Sequence, residues 1–289
     1  MRIIQSLDEM TETARGWLAG GTVGFVPIKK EVHQGHQTLI QAAHRRCEIC
    51  VVSIMARALH VEEGLYHPPA LYTGEPEHVL LQLQEAGADI VFIPRREELF
   101  PPDFSTYITP TGHLVERLIE VSDPVRIREL VTVVTKLFQL VRPDITYFGQ
   151  KDAQYIAIIR KLIRDLHIDI SLVILPTIRE HDGLAMSIRN HKLSPEERQA
   201  APILYQALLR GKALIEEGER QAPLILQAIA DVVATEPLIT LEYVALCDPE
   251  TFVNIQEVMP GTIIAIAAQA GTVHLIDNIV WMKDQHWRL

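Results

Sequence analysis

Through the first 175 positions, short apolar runs rich in β-branched residues alternate with longer segments whose apolar positions recur at helical spacing. Runs of the first kind read as strands buried on both faces, and segments of the second kind as amphipathic helices. Strands are expected at Thr22–Pro27, Ile49–Ile54, Ile90–Ile93, Ile145–Phe148 and Ile170–Leu175. Helices are expected at His36–Arg46, Glu75–Ala86, Arg126–Val141 and Ala153–Leu166. The third helix runs into Arg142-Pro143-Asp144, where proline disfavours helix for the residue before it. Strand, turn and helix repeated in this order predict an α/β domain: a parallel sheet with helices packed on both sides.

After Ile178-Arg179-Glu180-His181-Asp182-Gly183 the texture changes. Ser194-Pro195-Glu196-Glu197-Arg198 is a helix start, with serine as N-cap, proline at the first helical position and acids in the first turn. Helical stretches are expected over Pro195–Gly218 and Ala222–Thr235, followed by apolar runs at Leu241–Leu246, Thr262–Ala268 and Val273–Ile279. These suggest a smaller α+β domain with a short antiparallel sheet. The expected division is a first domain over 1–176 and a second over 177–289, with no internal repeat and no low-complexity tract.

Composition narrows the field. The chain has 289 residues, 48% hydrophobic and 22% charged, far from the signature of disorder. Its 27 Lys and Arg stand against 37 Asp and Glu, a formal charge of -10, which opposes a broad grip on nucleic-acid backbones. A local basic pocket for a small phosphate ligand stays open. The three cysteines, Cys47, Cys50 and Cys247, cannot build a disulfide framework and fit a reducing cytoplasm. Cys47-Glu48-Ile49-Cys50 has the spacing of a redox or zinc half-site, yet it runs into an apolar strand and no second ligand pair is spaced for it. Two core thiols, and no metal site, are the expectation. MRIIQSLDEM has acids where a secretion signal has an apolar stretch, and no run reaches the roughly 20 apolar residues of a membrane span. A cytoplasmic protein with no membrane partner is expected.

Three stretches carry candidate chemistry. In Gly24-Phe25-Val26-Pro27-Ile28-Lys29-Lys30-Glu31-Val32-His33-Gln34-Gly35-His36, a strand runs into a turn and then a helix. A helix N-terminus offers unpaired N–H groups and a positive dipole end, Gly35 allows close approach, and His33 and His36 can donate to phosphate oxygens. An incidental surface pair and a zinc site are the rival readings. Tyr147-Phe148-Gly149-Gln150-Lys151-Asp152 lies at the C-terminal end of a predicted strand, where open α/β sheets bind ligands. There Lys151 can meet phosphate and Asp152 can accept from ribose hydroxyls, or the two can simply form a solvated turn. In Asp182-Gly183-Leu184-Ala185-Met186-Ser187-Ile188-Arg189-Asn190, Ser187 and Arg189 stand two apart and can close over a triphosphate.

Taken in order, these segments resemble the pantothenate synthetase (pantoate–β-alanine ligase) family of the HIGH-containing nucleotidylyltransferase superfamily. The resemblance also rests on Thr132-Val133-Val134-Thr135-Lys136-Leu137-Phe138, Leu193-Ser194-Pro195-Glu196-Glu197-Arg198 and Leu275-Ile276-Asp277-Asn278, and it covers nearly the whole chain. It implies a Rossmann-like N-terminal domain, a smaller C-terminal lid, a homodimer joined through the N-terminal domains, and two-step chemistry on Mg2+-ATP, a small carboxylic acid and an amine. By position, His33 and His36 resemble the phosphate-facing pair, with His36 as proton donor. Gly149, Gln150, Lys151 and Asp152 resemble the ribose and phosphate contacts, with Lys151 catalytic beside the histidines. Ile178 resembles the adenine contact through its backbone, and Met186, Ser187, Ile188 and Arg189 the closing phosphate loop.

The acid half departs from the family. Its Pro-Thr-Met-Gly turn is here Pro27-Ile28-Lys29-Lys30, so a thioether becomes an ammonium, and the resemblance implies that Lys29 stands beside nucleotide and acid alike. Its Phe-Val-Asn-Pro-Leu-Gln is Met55-Ala56-Arg57-Ala58-Leu59-His60, which replaces an Asn and a pantoate-binding Gln by Arg57 and His60. A second Gln that contacts pantoate is Tyr155, and the Arg-Pro-Gly-His-Phe loop is Asp123-Pro124-Val125-Arg126-Ile127. A site built on such hydrogen bonds discriminates strongly when they are lost. Lys29, Arg57, His60 and Arg126 predict a more positive pocket, and with Tyr155 an acid that is pantoate-like but altered. The alternatives are authentic pantoate, an inactive nucleotide-binding paralogue, and an adenylyl transferase that stops after the first step.

Overall fold

The computed structural model describes residues 1–17, 20–28, 32–54, 77–116 and 124–289. In chain order the elements are β1 (Arg2–Ile4), α1 (Leu7–Trp17), β2 (Val23–Ile28), α2 (Gln34–Arg46), β3 (Ile49–Ile54), α3 (Glu77–Glu85), β4 (Ile90–Phe92), α4 (Arg96–Leu99), α5 (His113–Glu116), α6 (Pro124–Val141) and β5 (Ile145–Gly149). A 3-10 turn over Gln150–Asp152 leads into α7 (Ala153–Asp165) and β6 (Ser171–Leu175). A second 3-10 turn over Ile188–Lys192 precedes α8 (Pro195–Ala200), α9 (Ile203–Glu216), α10 (Ala222–Val233), β7 (Ile239–Cys247), β8 (Ile263–Ala270), β9 (Val273–Trp281) and β10 (Trp287–Arg288). Two compact units result: Met1–Gly149 with Ile158–Leu175, and Gln150–Ala157 with Pro176–Leu289.

The first unit is a six-stranded parallel sheet in the order β1-β4-β3-β2-β5-β6. Its inner strands are apolar on both faces because both are covered: Phe25, Val26, Val51, Val52, Val91 and Phe92 are fully buried. Burying an aliphatic side chain of this kind contributes about 1.5–3 kcal/mol. Phe25 meets Phe138 of α6 edge-on, with ring centroids 6.1 Å apart. The chain leaves β2 toward β3 and β4 on one side, while β5 and β6 lie on the other, so the strand order reverses between β2 and β5. Open α/β sheets bind ligands at this switch point, outside the strand C-termini. There β2 ends at Ile28 and β5 at Gly149.

The second unit packs α9 and α10 on a four-stranded antiparallel sheet, β10-β9-β8-β7. Leu204, Leu208, Ile225 and Ile229 meet Ile264 and Ile266 in its core. Gly211 allows the close approach of the two helices, since a Cβ there would stand 2.7 Å from Ile229 Cδ1.

The structure has the expected parallel α/β sheet and the separate antiparallel one. It corrects the single helix expected over Pro195–Gly218, which breaks between α8 and α9. Pro202 has no N–H to give to the preceding turn, so the chain restarts at Ile203. Strands β1 and β10, helix α1 and the four-residue helices α4 and α5 were not expected. The start of the helix expected from Glu75 lies outside the described residues. Cys47, Cys50 and Cys247 are buried thiols, and burial, chiefly, pushes Cys50 up to about 12. Among the described residues no helix is long and apolar enough to cross a membrane.

Candidate active site

The turn after β2 is organised by its own histidines. His33 is the N-cap of α2, and its Nδ1 accepts from the Gly35 N–H at 3.1 Å. His36 reaches back, its Nδ1 accepting from the His33 N–H at 3.4 Å. The two rings lie 4.0 Å apart, tilted by 35°. A neutral imidazole accepting at Nδ1 carries its hydrogen at Nε2, so the backbone selects the same tautomer for both rings. Two helix N–H groups are satisfied by imidazoles in place of the usual hydroxyl or carboxylate.

At the end of β5 the structure brings together a second group, all within the second compact unit. Lys151 Nζ donates to the carbonyl oxygens of Ala185 at 3.1 Å and Met186 at 3.0 Å. An ammonium has three N–H bonds, and these acceptors take two. Desolvation brings Lys151 down to about 8, against the opposing pull of Asp277 and Asp152, while Arg189 and Arg179 lower it further. The Ala185 and Met186 carbonyls sit on a small hairpin: Arg179 bridges Ala185, and the Met186 N–H donates to Ile178 O at 2.9 Å. The hairpin turns at Gly183, whose φ is +92° and whose missing Cβ makes room for the Tyr205 ring.

The remaining expected residues fall as follows. Gly149 is the last residue of β5, and a Cβ there would meet nothing within 4 Å. The Gln150 side chain is turned away into the unit's core, donating to Arg288 O at 3.0 Å, and Asp152 is exposed. Ser187 caps the following 3-10 turn, its Oγ accepting from the Arg189 N–H at 3.2 Å. Ile188 and Arg189 are exposed, and the Arg189 guanidinium reaches His274 O at 3.4 Å. Tyr155 is half-buried in the first turn of α7. Lys29, Arg57 and His60 lie outside the described residues, and of Arg126 only the backbone, in α6, is described.

Sequence reasoning assigned no role to the residues that hold this group together. Asn278 Nδ2 donates to the carbonyls of Gln150 and Lys151, each at 3.1 Å. Asp277 binds Arg179 through both oxygens, at 2.6 and 3.1 Å, and the Arg179 guanidinium stacks 3.8 Å over the Tyr205 ring. Asn190 donates to Glu180 Oε1 at 2.6 Å and to Ala185 O at 3.2 Å. The available signal was an Asp-Asn pair inside an apolar strand, since buried polar groups are retained where they find partners.

The pantoate-beta-alanine ligase family model matches residues 2–280. A pantothenate synthetase from Heliobacterium modesticaldum is 41% identical over 281 residues, covering 97% of this chain and 99% of that protein. The crystal structure of pantothenate synthetase from Thermus thermophilus matches with a TM-score of 0.85 at 34% identity, over 96% of this chain and 98% of that one. A pantoate-beta-alanine ligase from Francisella tularensis, solved with beta-gamma ATP and beta-alanine, shares the fold at 23% identity and a TM-score of 0.71, over 99% of each chain. On these matches, which run through both compact units, the chain belongs to the pantoate–β-alanine ligase family.

Proposed function

We propose that this chain is an ATP-dependent carboxylate–amine ligase of the pantothenate synthetase type, acting on an acid related to pantoate but altered. A carboxylate acylates poorly until one of its oxygens becomes a good leaving group. In the first step a carboxylate oxygen attacks the α-phosphorus of ATP, and the bond to the bridging oxygen breaks to release pyrophosphate. In the second, an amine attacks the acyl carbon, the carbon–oxygen bond to AMP breaks, and the nitrogen loses a proton to leave an amide. The protein's task is to align and neutralise phosphates.

The observation that carries this reading is the Lys151 ammonium, stripped of water and held by two carbonyls immediately after the switch-point strand β5. Its third N–H is the donor for a phosphate oxygen. On this reading His33 and His36 donate from Nε2 to the leaving pyrophosphate, and the open approach at Gly149 admits the ribose beside Asp152. The Ile178 backbone meets adenine, and Met186, Ser187, Ile188 and Arg189 close over the triphosphate. Mg2+ would come with the triphosphate and would supply neutralisation of its charge, because this ion is usually bound through substrate phosphates. Residues 1–176 then form the domain that binds ATP and acid, and 177–289 the lid, in a cytoplasmic homodimer joined through the N-terminal domains.

Acid-dependent pyrophosphate release tests the reading. With ATP, an amine and a panel of carboxylic acids, an acid bearing extra negative charge or an added polar group should give a higher kcat/KM than pantoate. Pantothenate formed as efficiently as any other product would overturn the altered acid, and pyrophosphate that never responds to any acid would overturn the ligase. Pyrophosphate without AMP when amines are offered would favour an enzyme that stops at the adenylate.

A further inference from the structure

Two successive residues of β9, outside every stretch assigned to substrate, support Lys151, one at its backbone and the other through Arg179. Asn278 spends both amide hydrogens on the backbone carbonyls at 150 and 151, which fixes the stem from which the lysine grows. Asp277 grips Arg179 through both carboxylate oxygens. Arg179 makes an isolated bridge with Ala185, and its guanidinium also donates to Gly183 O at 3.1 Å. The carbonyls holding the ammonium thus hang from a hairpin whose base is anchored by Asp277. The pair is joined internally as well, the Asn278 N–H donating to Asp277 Oδ1 at 2.8 Å. Asp277 and Asn278 are 4% and 2% exposed, so losing the hydrogen bonds they make is costly.

We infer that Asp277 and Asn278 are positioning residues for the adenylation step, holding the Lys151 stem and its carbonyl cradle in register so that the remaining N–H meets a phosphate. This rests on the proposed reading of Lys151 as a phosphate donor. A fold that needed only a filled strand would be served by any well-packed side chain at these places. What Asn278 supplies is specific: two donors aimed at two adjacent carbonyls. What Asp277 supplies is a bidentate anion for an arginine that is itself stacked on Tyr205. The groups charged toward the ammonium are Asp277, Asp152, Arg189 and Arg179, and Asp277 is the foremost of those favouring its charge.

The test uses Asn278→Ala, which removes the donors, and Asp277→Asn, which keeps the shape and removes the charge. Two readouts are taken: pyrophosphate release from ATP, and the rate at which an amine-acetylating reagent modifies Lys151, followed by mass spectrometry from about pH 7 to 10, the range in which a lysine of lowered pKa deprotonates. The expected result is a protein that still folds, with a lowered melting temperature because buried partners are lost, a loss in kcat of about 100-fold for displacement of the lysine by about 1 Å, and at least about tenfold faster acetylation of Lys151, whose amine loses its cover. In Asp277→Asn the alkaline limb of the ATP profile should also move to lower pH. Acetylation and kcat unchanged in both variants would overturn the inference. So would loss of the fold in both, which would make the pair purely structural. If wild-type protein releases no pyrophosphate with any acid, the ligase reading fails, and acetylation alone still decides whether the pair holds Lys151.

Discussion

The chemistry of Lys151 depends on its surroundings. Water withdrawal, above all, brings its ammonium down to about 8, so the free enzyme loses the proposed phosphate donor as pH rises through that value. The kcat/KM for ATP should therefore fall above about pH 8, while kcat, measured with the triphosphate restoring the charge, should hold to higher pH. A profile with one limb shared by both would contradict this. Linkage fixes the sign for stability. Because the folded-state value lies below the ordinary 10.5, unfolding takes up a proton between the two. The cost of the buried charge is full below about pH 8 and is recovered as pH climbs toward 10.5. Wild-type stability should accordingly rise relative to Lys151→Met over that interval, as denaturant melts at successive pH values would register. Gly183 makes a second residue-scale demand. Gly183→Ala forces a side chain onto a φ of +92° and into Tyr205, and should cost about 1–3 kcal/mol while dislodging the Arg179 stack.

Among the elements, those with a strong period or a cap were readable and those without were not. β3 and the start of α7 fall where the apolar pattern puts them, and Arg142, left-handed at φ 51°, ends α6 ahead of Pro143. α1 escaped because its sequence, LDEMTETARGW, buries only Met10 and Ala14, too narrow a stripe to stand out. β1 and β10 are too short to show alternation, and their existence is decided by neighbours far along the chain. The start of α8 was legible from chemistry: Ser194 Oγ accepts from the Glu197 N–H at 3.2 Å, and Glu197 Oε2 takes the Ser194 N–H at 2.8 Å. Since this box starts a helix that stops only six residues later, its cap matters more than it would in a long one. Ser194→Ala should lower the unfolding free energy by about 1 kcal/mol, read as a drop of about 2–4 °C in Tm, with activity retained.

For the whole molecule, the candidate site divided into a legible part and a hidden one for a physical reason. The proposed ligand groups sit on turns after strands, where lysine, histidine and glycine stand out against apolar runs, so His33, His36, Gly149 and Lys151 could be picked out from order alone. The residues behind Lys151 are harder to see: Asn278 lies 127 positions from it, and its hold, like that of Asp277, shows only once β9 is beside the Gln150 turn. The substitutions at Lys29, Arg57 and Tyr155 were legible for the opposite reason, as departures from a family pattern. Lys29 and Arg57 add cationic groups to a chain whose formal charge is -10, so the added charge must act locally. Reversing it gives a test that separates the two substrates. Lys29→Met with Arg57→Gln restores or approximates the family's neutral groups, and should raise KM for the natural acid by about 10- to 100-fold, the worth of one or two charge-assisted hydrogen bonds. KM for ATP should change by less than about threefold if Lys151 and the histidines carry the nucleotide. Salt should then matter less to the double variant than to wild type, because the attraction it screens has been removed. If both substrates weaken together, the lysine and arginine changes belong to the nucleotide, and the acid pocket is that of an ordinary member of the family.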